Sequence, residues 1–338
     1  MTQWMYIHLT QKKNDRELIC MTIKTSIMDI VSRLKIEEDS VKRFYETAVN
    51  AVIEEYAKVL AIDSLNEIII TDRLTESIKV YQYEHELIEE VTENEFGIVF
   101  GKTICDIKTN KQTVFLDAYE MLGLMDNDSL NRLYQDNEEQ KREAFVHRDH
   151  LINLLIHELS HVEYNSQIIT EIEFPKKNSF DLYHEGLAKI MFEEYYACRR
   201  ASEVSIPFYD KSLKKIIVDI EIKVEKLVQK LRRNELKAVE FIKCFQEYLQ
   251  LSLKYLCYLL GDVVSNKNVN NELKDTNIQV VIECINREFD DLYKSARASC
   301  KVIIPLSIQE CVFKYYKMFG VYFFTDEYGI RIKYLDNR

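Results

Sequence analysis

The stretch Leu151-Ile152-Asn153-Leu154-Leu155-Ile156-His157-Glu158-Leu159-Ser160-His161-Val162 sets an HExxH motif inside an apolar frame. The frame predicts a helix from about Arg148 to Tyr164. On a helix, residues four apart share a face, so the imidazoles of His157 and His161 can reach one metal ion. Glu158 projects beside them, where its carboxylate can act as general base on water that the metal activates. Zinc is the expected occupant. It accepts nitrogen and oxygen ligands tetrahedrally, and a catalytic zinc keeps three protein ligands and one open position.

The third ligand has to come from beyond His161. A histidine six residues further on is absent, since position 167 is Gln167, and no histidine follows His184. A second helix, expected over about Tyr183 to Ser202, supplies Glu185, Glu193 and Glu194. Glu194 shares a face with Ile190, Ala197 and Ala201, small and apolar residues suited to packing on the HExxH helix. It is the expected ligand. Glu193, beside Lys189 and Arg200, reads as solvated, and Glu185, beside Ala188 and Phe192, is the alternative ligand. A donor for the oxyanion of a tetrahedral intermediate is also required. His184, Tyr183 and Tyr195 are candidates by nearness in sequence. His150 and His147 read as polar residues at the helix start, with His150 on the same face as the motif histidines.

Further out, Asp39 to Ile62 has helical spacing, and residues 1–38 show only short β-like pieces around Trp4–Leu9 and Ile19–Ile23. Three strand-like runs follow, Glu67–Thr71, Gly97–Thr103 and Gln112–Leu116. With the polar turn Lys108–Lys111 they predict a small antiparallel sheet. From 210 onward the reading is mainly helical. Leu213, Ile217, Ile220, Val224, Leu227 and Leu231 form a coiled-coil-like seam, with further helices at about 235–262, 272–299 and 306–318. Tyr322–Tyr334 reads as a hairpin around Glu327-Tyr328-Gly329. The expected division is 1–65, a mixed N-terminal segment, 66–205 around the motif, and 206–338, a helical region for regulation or partner binding.

Composition narrows the function. Seven glycines and three prolines in 338 residues, where average usage gives roughly 24 glycines, leave no glycine-rich phosphate loop and favour helix. Net charge is −11, so direct nucleic-acid binding is not expected. The charge is uneven: residues 201–338 carry 22 Lys and Arg against 19 Asp and Glu, and residues 1–200 carry 23 against 37. The basic stretch Lys211–Lys237 reads as a solvated helix flank. Eight cysteines form no CxxC pair. Cys244, Cys257 and Cys284 lie in apolar helical contexts as packed thiols, which predicts a reducing, cytoplasmic setting. No signal peptide is evident, and Lys243, Glu247, Lys254 and Asp262 interrupt the most apolar run, Phe241 to Val264, so no membrane span is expected.

Taken together, Ile68-Ile69-Ile70-Thr71-Asp72, Gly101-Lys102-Thr103, Thr113-Val114-Phe115-Leu116, His157–His161 and Phe192-Glu193-Glu194-Tyr195-Tyr196-Ala197 resemble prokaryotic and phage zinc metallopeptidase-like proteins of the ImmA/IrrE type, a gluzincin pattern. The resemblance covers about residues 60–202. Ser160 stands where many members have glycine, and Phe192 where many have tryptophan. It implies an α+β, zincin-like fold, a three-stranded sheet packed on the HExxH helix, and a glutamate on a following helix as third ligand. It also implies zinc-dependent hydrolysis of a peptide bond, with a protein substrate or a regulatory protein partner. The alternative is a non-catalytic helical interaction protein with a zinc site, or a regulator of a DNA-associated partner.

Overall fold

The computed structural model describes residues 7–13, 16–87, 100–106, 108–173, 179–207, 211–326 and 329–334. The protein is α+β and divides into two compact units, Met1–Gln167 with Arg200–Phe208, and Ile168–Arg199 with Tyr209–Arg338.

The first unit begins with strands β1 (Ile7–Lys13) and β2 (Arg16–Ser26), followed by helices α1 (Met28–Leu34) and α2 (Glu38–Tyr56). Strand β3 (Leu65–Thr71), helix α3 (Leu74–Glu84) and strands β4 (Gly101–Asp106) and β5 (Lys111–Asp117) come next. Short helices α4 (Ala118–Met121) and α5 (Asn127–Leu133) lead into α6 (Glu138–Gln167), which carries the motif. The strands form one sheet in the order β1-β2-β3-β5-β4.

The expected antiparallel sheet is corrected here to a mixed one. The hairpin β4–β5 is antiparallel, as is β1–β2, but β2–β3 and β3–β5 are parallel. Both parallel pairs are joined by crossovers, β2 to β3 through α1 and α2 and β3 to β5 through a connection that includes α3, as parallel strands require and a hairpin does not. The expected strand Gly97–Thr103 starts at Gly101 in β4, and its residues 97–99 lie outside the described residues.

Residues of β3 alternate between two cores. Ile68 and Ile70, with Val114 and Leu116 of β5, join an apolar cluster with Tyr45, Val49 and Val52 of α2 and Leu155, Leu159 and Val162 of α6. Ile69 and Phe115 face the other way, onto Leu74 and Ile78 of α3. The Ile68-Ile69-Ile70 run is thus a strand covered on both faces, which explains its unbroken apolarity. Helix α6 begins ten residues before the predicted start. Its first turns are polar and half exposed, so they carry no apolar period, and Asn137 Oδ1 accepts the Gln140 amide at 3.0 Å as an N-terminal cap. From Leu151 to Tyr164 only Asn153 and Leu154 are not fully buried.

The second unit opens with strand β6 (Ile169–Ile172) and helix α7 (Ser179–Val204), whose residues from Arg200 on belong to the first unit. Helices α8 (Lys211–Arg232), α9 (Ala238–Gly261), α10 (Val269–Glu272) and α11 (Gln279–Ser299) follow. Strand β7 (Lys301–Ile304), helix α12 (Leu306–Met318) and strands β8 (Val321–Asp326) and β9 (Gly329–Tyr334) end the chain. β8 and β9 form the expected antiparallel hairpin, its turn residues 327–328 lying outside the described residues. β6 and β7, a parallel pair, were not anticipated. On α8 the buried apolar positions are Ile217, Ile220, Val224, Val228 and Leu231. Val228 takes the place expected for Leu227, since a straight helix drifts from a strict heptad.

Cys284 of α11 is bonded to Cys311 of α12. The reading of Cys284 as a packed free thiol is therefore corrected. Disulfides mark oxidising surroundings or redox-responsive bonds, so cysteine usage no longer supports a reducing compartment. Among the described residues no helix is long and apolar enough to cross a membrane.

Candidate metal centre

His157 and His161 project from one face of the buried half of α6. Their Nε2 atoms are 3.1 Å apart and their rings are nearly perpendicular, at 86°. Two nitrogens bound to one tetrahedral zinc at about 2.0–2.1 Å stand roughly 3.3–3.4 Å apart. The pair is already close to that spacing.

Glu194 completes the group. One ligand atom from each of His157, His161 and Glu194 lies within 4.8 Å of the others, and all three side chains are buried. No other trio of His, Cys, Asp or Glu comes together in this way among the described residues. The placement follows from α7. Ala201 is fully buried in the same apolar cluster as Leu155, Leu159 and Val162 of α6, and Glu194 lies two turns before it on the same helix face. Glu185, the alternative ligand, is outside this group; its Oε1 accepts from Lys189 Nζ at 2.8 Å. Two neutral imidazoles and a carboxylate are the donor set of a catalytic zinc with one open position, so these residues fit the metal.

Glu158 is held from the sheet. Thr103 Oγ1, on the edge strand β4, lies 2.8 Å from Glu158 Oε2 and 2.9 Å from its backbone carbonyl oxygen, so the one hydroxyl proton serves two acceptors. Two residues earlier, a Cβ at Gly101 would stand 2.9 Å from Glu158 Cγ and 3.0 Å from Oε1. Only glycine lets the strand approach this closely. Gly101-Lys102-Thr103 thus frames the carboxylate, a role that the sequence alone did not assign.

Further contacts hold these helices. Arg200 was expected on a solvated face, but it is buried: its Nε donates to Glu163 Oε2 at 2.8 Å and its Nη2 to the Val59 carbonyl at 2.6 Å. Glu163, two residues after His161, also accepts the Ala61 amide at 3.2 Å. On α9, a Cβ at Gly261 would meet the Tyr195 carbonyl oxygen at 2.6 Å, so α9 closes directly on the backbone of α7 beside Glu194. Lys254 of the same helix donates to Glu194 Oε1 at 2.6 Å. Burial works against the Lys254 ammonium, but Glu194 and the Tyr258 hydroxyl outweigh it and hold its pKa well above the ordinary lysine value. The signal for Lys254 was present in the sequence, as a cation interrupting the most apolar run of the chain.

The expected oxyanion donors, His184, Tyr183 and Tyr195, all stand on α7. His184 sits among Phe180, Tyr183, Phe313 and Tyr316. Its Nδ1 donates to the Phe180 carbonyl at 2.8 Å, and burial lowers its pKa to about 4. A neutral ring with its proton on Nδ1 offers only a lone pair at Nε2, so His184 has nothing to donate to an oxyanion. The Tyr183 hydroxyl is spent on the Gln246 carbonyl at 3.1 Å. Tyr195 is fully buried, its ring 5.5 Å from that of Phe289. His147 is exposed on the polar half of α6, 3.8 Å from Glu120 Oε2.

Ser160 and Phe192, the departures from the resembled pattern, are both fully buried: the Ser160 hydroxyl donates to the Ile156 carbonyl at 2.7 Å, and Phe192 packs edge-on to Phe289. No known protein family, no characterised protein and no solved structure matches this chain.

Proposed function

We propose that the chain is a zinc metallopeptidase that hydrolyses a peptide bond in a specific protein substrate, on a zincin-like core. The observation that carries the reading is the buried His157–His161–Glu194 group, with Glu158 beside its first ligand and fixed by Thr103. A purely structural zinc site has no use for a carboxylate held in that place.

Zinc held by these three residues supplies Lewis acidity, polarising a carbonyl and making water acidic near neutral pH. The chain's own residues do the rest. Thr103 and Gly101 fix the Glu158 side chain in one conformation, which removes the entropy of finding it. The Glu158 carboxylate takes a proton from the attacking water and passes it to the leaving amine nitrogen, a contribution of about 10²–10⁴-fold. Within the first unit, Glu163 and Arg200 tie α6 to the last turns of α7.

Glu158→Gln tests this. The substitution is nearly isosteric and leaves all three ligands in place. Cleavage of a quenched fluorescent peptide library should fall by about 10²–10⁴-fold while zinc content is unchanged. Wild-type cleavage by the variant would remove Glu158 from the mechanism.

A further inference from the structure

We infer that Lys254 competes with the metal for Glu194, standing in as its cation in the metal-free protein and lowering the site's affinity for zinc. The inference rests on the metal reading above and adds to it a residue from the helical region after 206.

The pair is unusual for its setting. Helix α9 buries Leu249, Leu253, Leu256, Leu259 and Leu260, and Lys254 is the one cation in its Ala238–Gly261 span apart from the exposed Lys243. An ammonium in such a helix is costly unless it is paired. The Lys254 side chain keeps 32% of its surface while that of Glu194 keeps 10%. Its stem therefore packs along the helix, its head reaches Glu194 Oε1 at 2.6 Å, and water reaches the pair from the lysine side. The close approach of Gly261 to the Tyr195 backbone fixes α9 against α7, so the lysine cannot drift from its partner without moving a helix.

The sign of its effect on metal binding follows from charge. Outer partners that are carboxylates or carbonyls make a ligand more basic and strengthen metal binding. An ammonium does the reverse, because it draws on the carboxylate charge that the metal needs. A dication bound about 2.0–2.2 Å from a Glu194 oxygen stands within roughly 6 Å of the ammonium. Even at the dielectric constant of water, a +2 and a +1 charge at that distance repel enough to change an equilibrium constant by roughly tenfold. Orientation of the carboxylate by Lys254 works the other way, and we expect the charge effect to be the larger.

The test is a zinc titration of the full chain against a chromophoric chelator, with the melting temperature measured in the presence and absence of zinc. Lys254→Met keeps the apolar stem and removes the charge; Lys254→Arg keeps the charge; Lys254→Gln replaces the methionine variant if that one does not fold. We expect Lys254→Met to bind zinc about tenfold more tightly than the parent, to melt lower than the parent without zinc, and to gain more from zinc. Lys254→Arg should stay within about threefold of the parent. Equal or weaker zinc binding by Lys254→Met, with the parent binding zinc, overturns the role of Lys254 and leaves the metal site standing. Failure of both the parent and Lys254→Met to bind zinc overturns the metal site and, with it, the competition.

Discussion

Gly101 has no side chain because the Glu158 side chain occupies the space. Single residues of this kind explain why the centre was only partly legible in the sequence. His157, Glu158 and His161 follow from helical spacing, and Glu194 from its small-residue face, because both signals are local. Thr103, Gly101 and Arg200 act across 37 residues of chain or more, and no periodicity records such a contact. His184 was a candidate oxyanion donor by nearness in sequence alone, and it lies buried among Phe180, Phe313 and Tyr316. Its folded pKa of about 4 is below the ordinary 6.5, so the unfolded chain takes up the extra proton. Stability is therefore full above about pH 6.5 and falls as pH drops towards about 4, by about 3 kcal/mol over the whole window. Urea unfolding of the parent and of His184→Phe across pH 4–7 checks this. The variant should lose most of that acid slope, and parallel profiles would contradict the assignment.

Among the elements, α6, α7 and α12 were legible as helices because each carries an apolar stripe, and β3 because Ile68-Ile69-Ile70 is β-branched and covered on both sides. Of β2 only the β-like piece Ile19–Ile23 was legible, and the parallel pairing of β3 with β5 left no local signal, because it joins strands separated by α3 and β4. Helix α11 shows a different kind of concealed information. Glu221, buried on α8, accepts the Asn277 and Ile278 amides at 2.8 and 2.7 Å and the Tyr315 hydroxyl at 3.0 Å, closing the N-terminal end of α11 from another helix. Burial raises its pKa, and these donors pull it back. Glu221→Ala leaves three donors without their acceptor, a loss of about 3 kcal/mol in urea unfolding. A loss under about 1 kcal/mol would show that water or a neighbour takes over the cap.

At the scale of the whole molecule, the sequence separates an acidic 1–200 from a slightly basic 201–338, yet the compact units do not follow that line, since α7 passes from the second to the first at Arg200. In the first unit Arg200 pairs with Glu163 and Ala201 is buried in the apolar cluster, and in the second Lys254 and Gly261 meet Glu194 and Tyr195. The account rests on one claim about this arrangement, that His157, His161 and Glu194 hold a single zinc ion. Elemental analysis of the purified chain, beside His157→Ala, Glu185→Ala and Glu194→Ala, tests it most directly. The prediction is about one zinc per chain in the parent and in Glu185→Ala, and almost none in the other two. Parent protein without zinc, or Glu194→Ala holding zinc as the parent does while Glu185→Ala loses it, would contradict the claim.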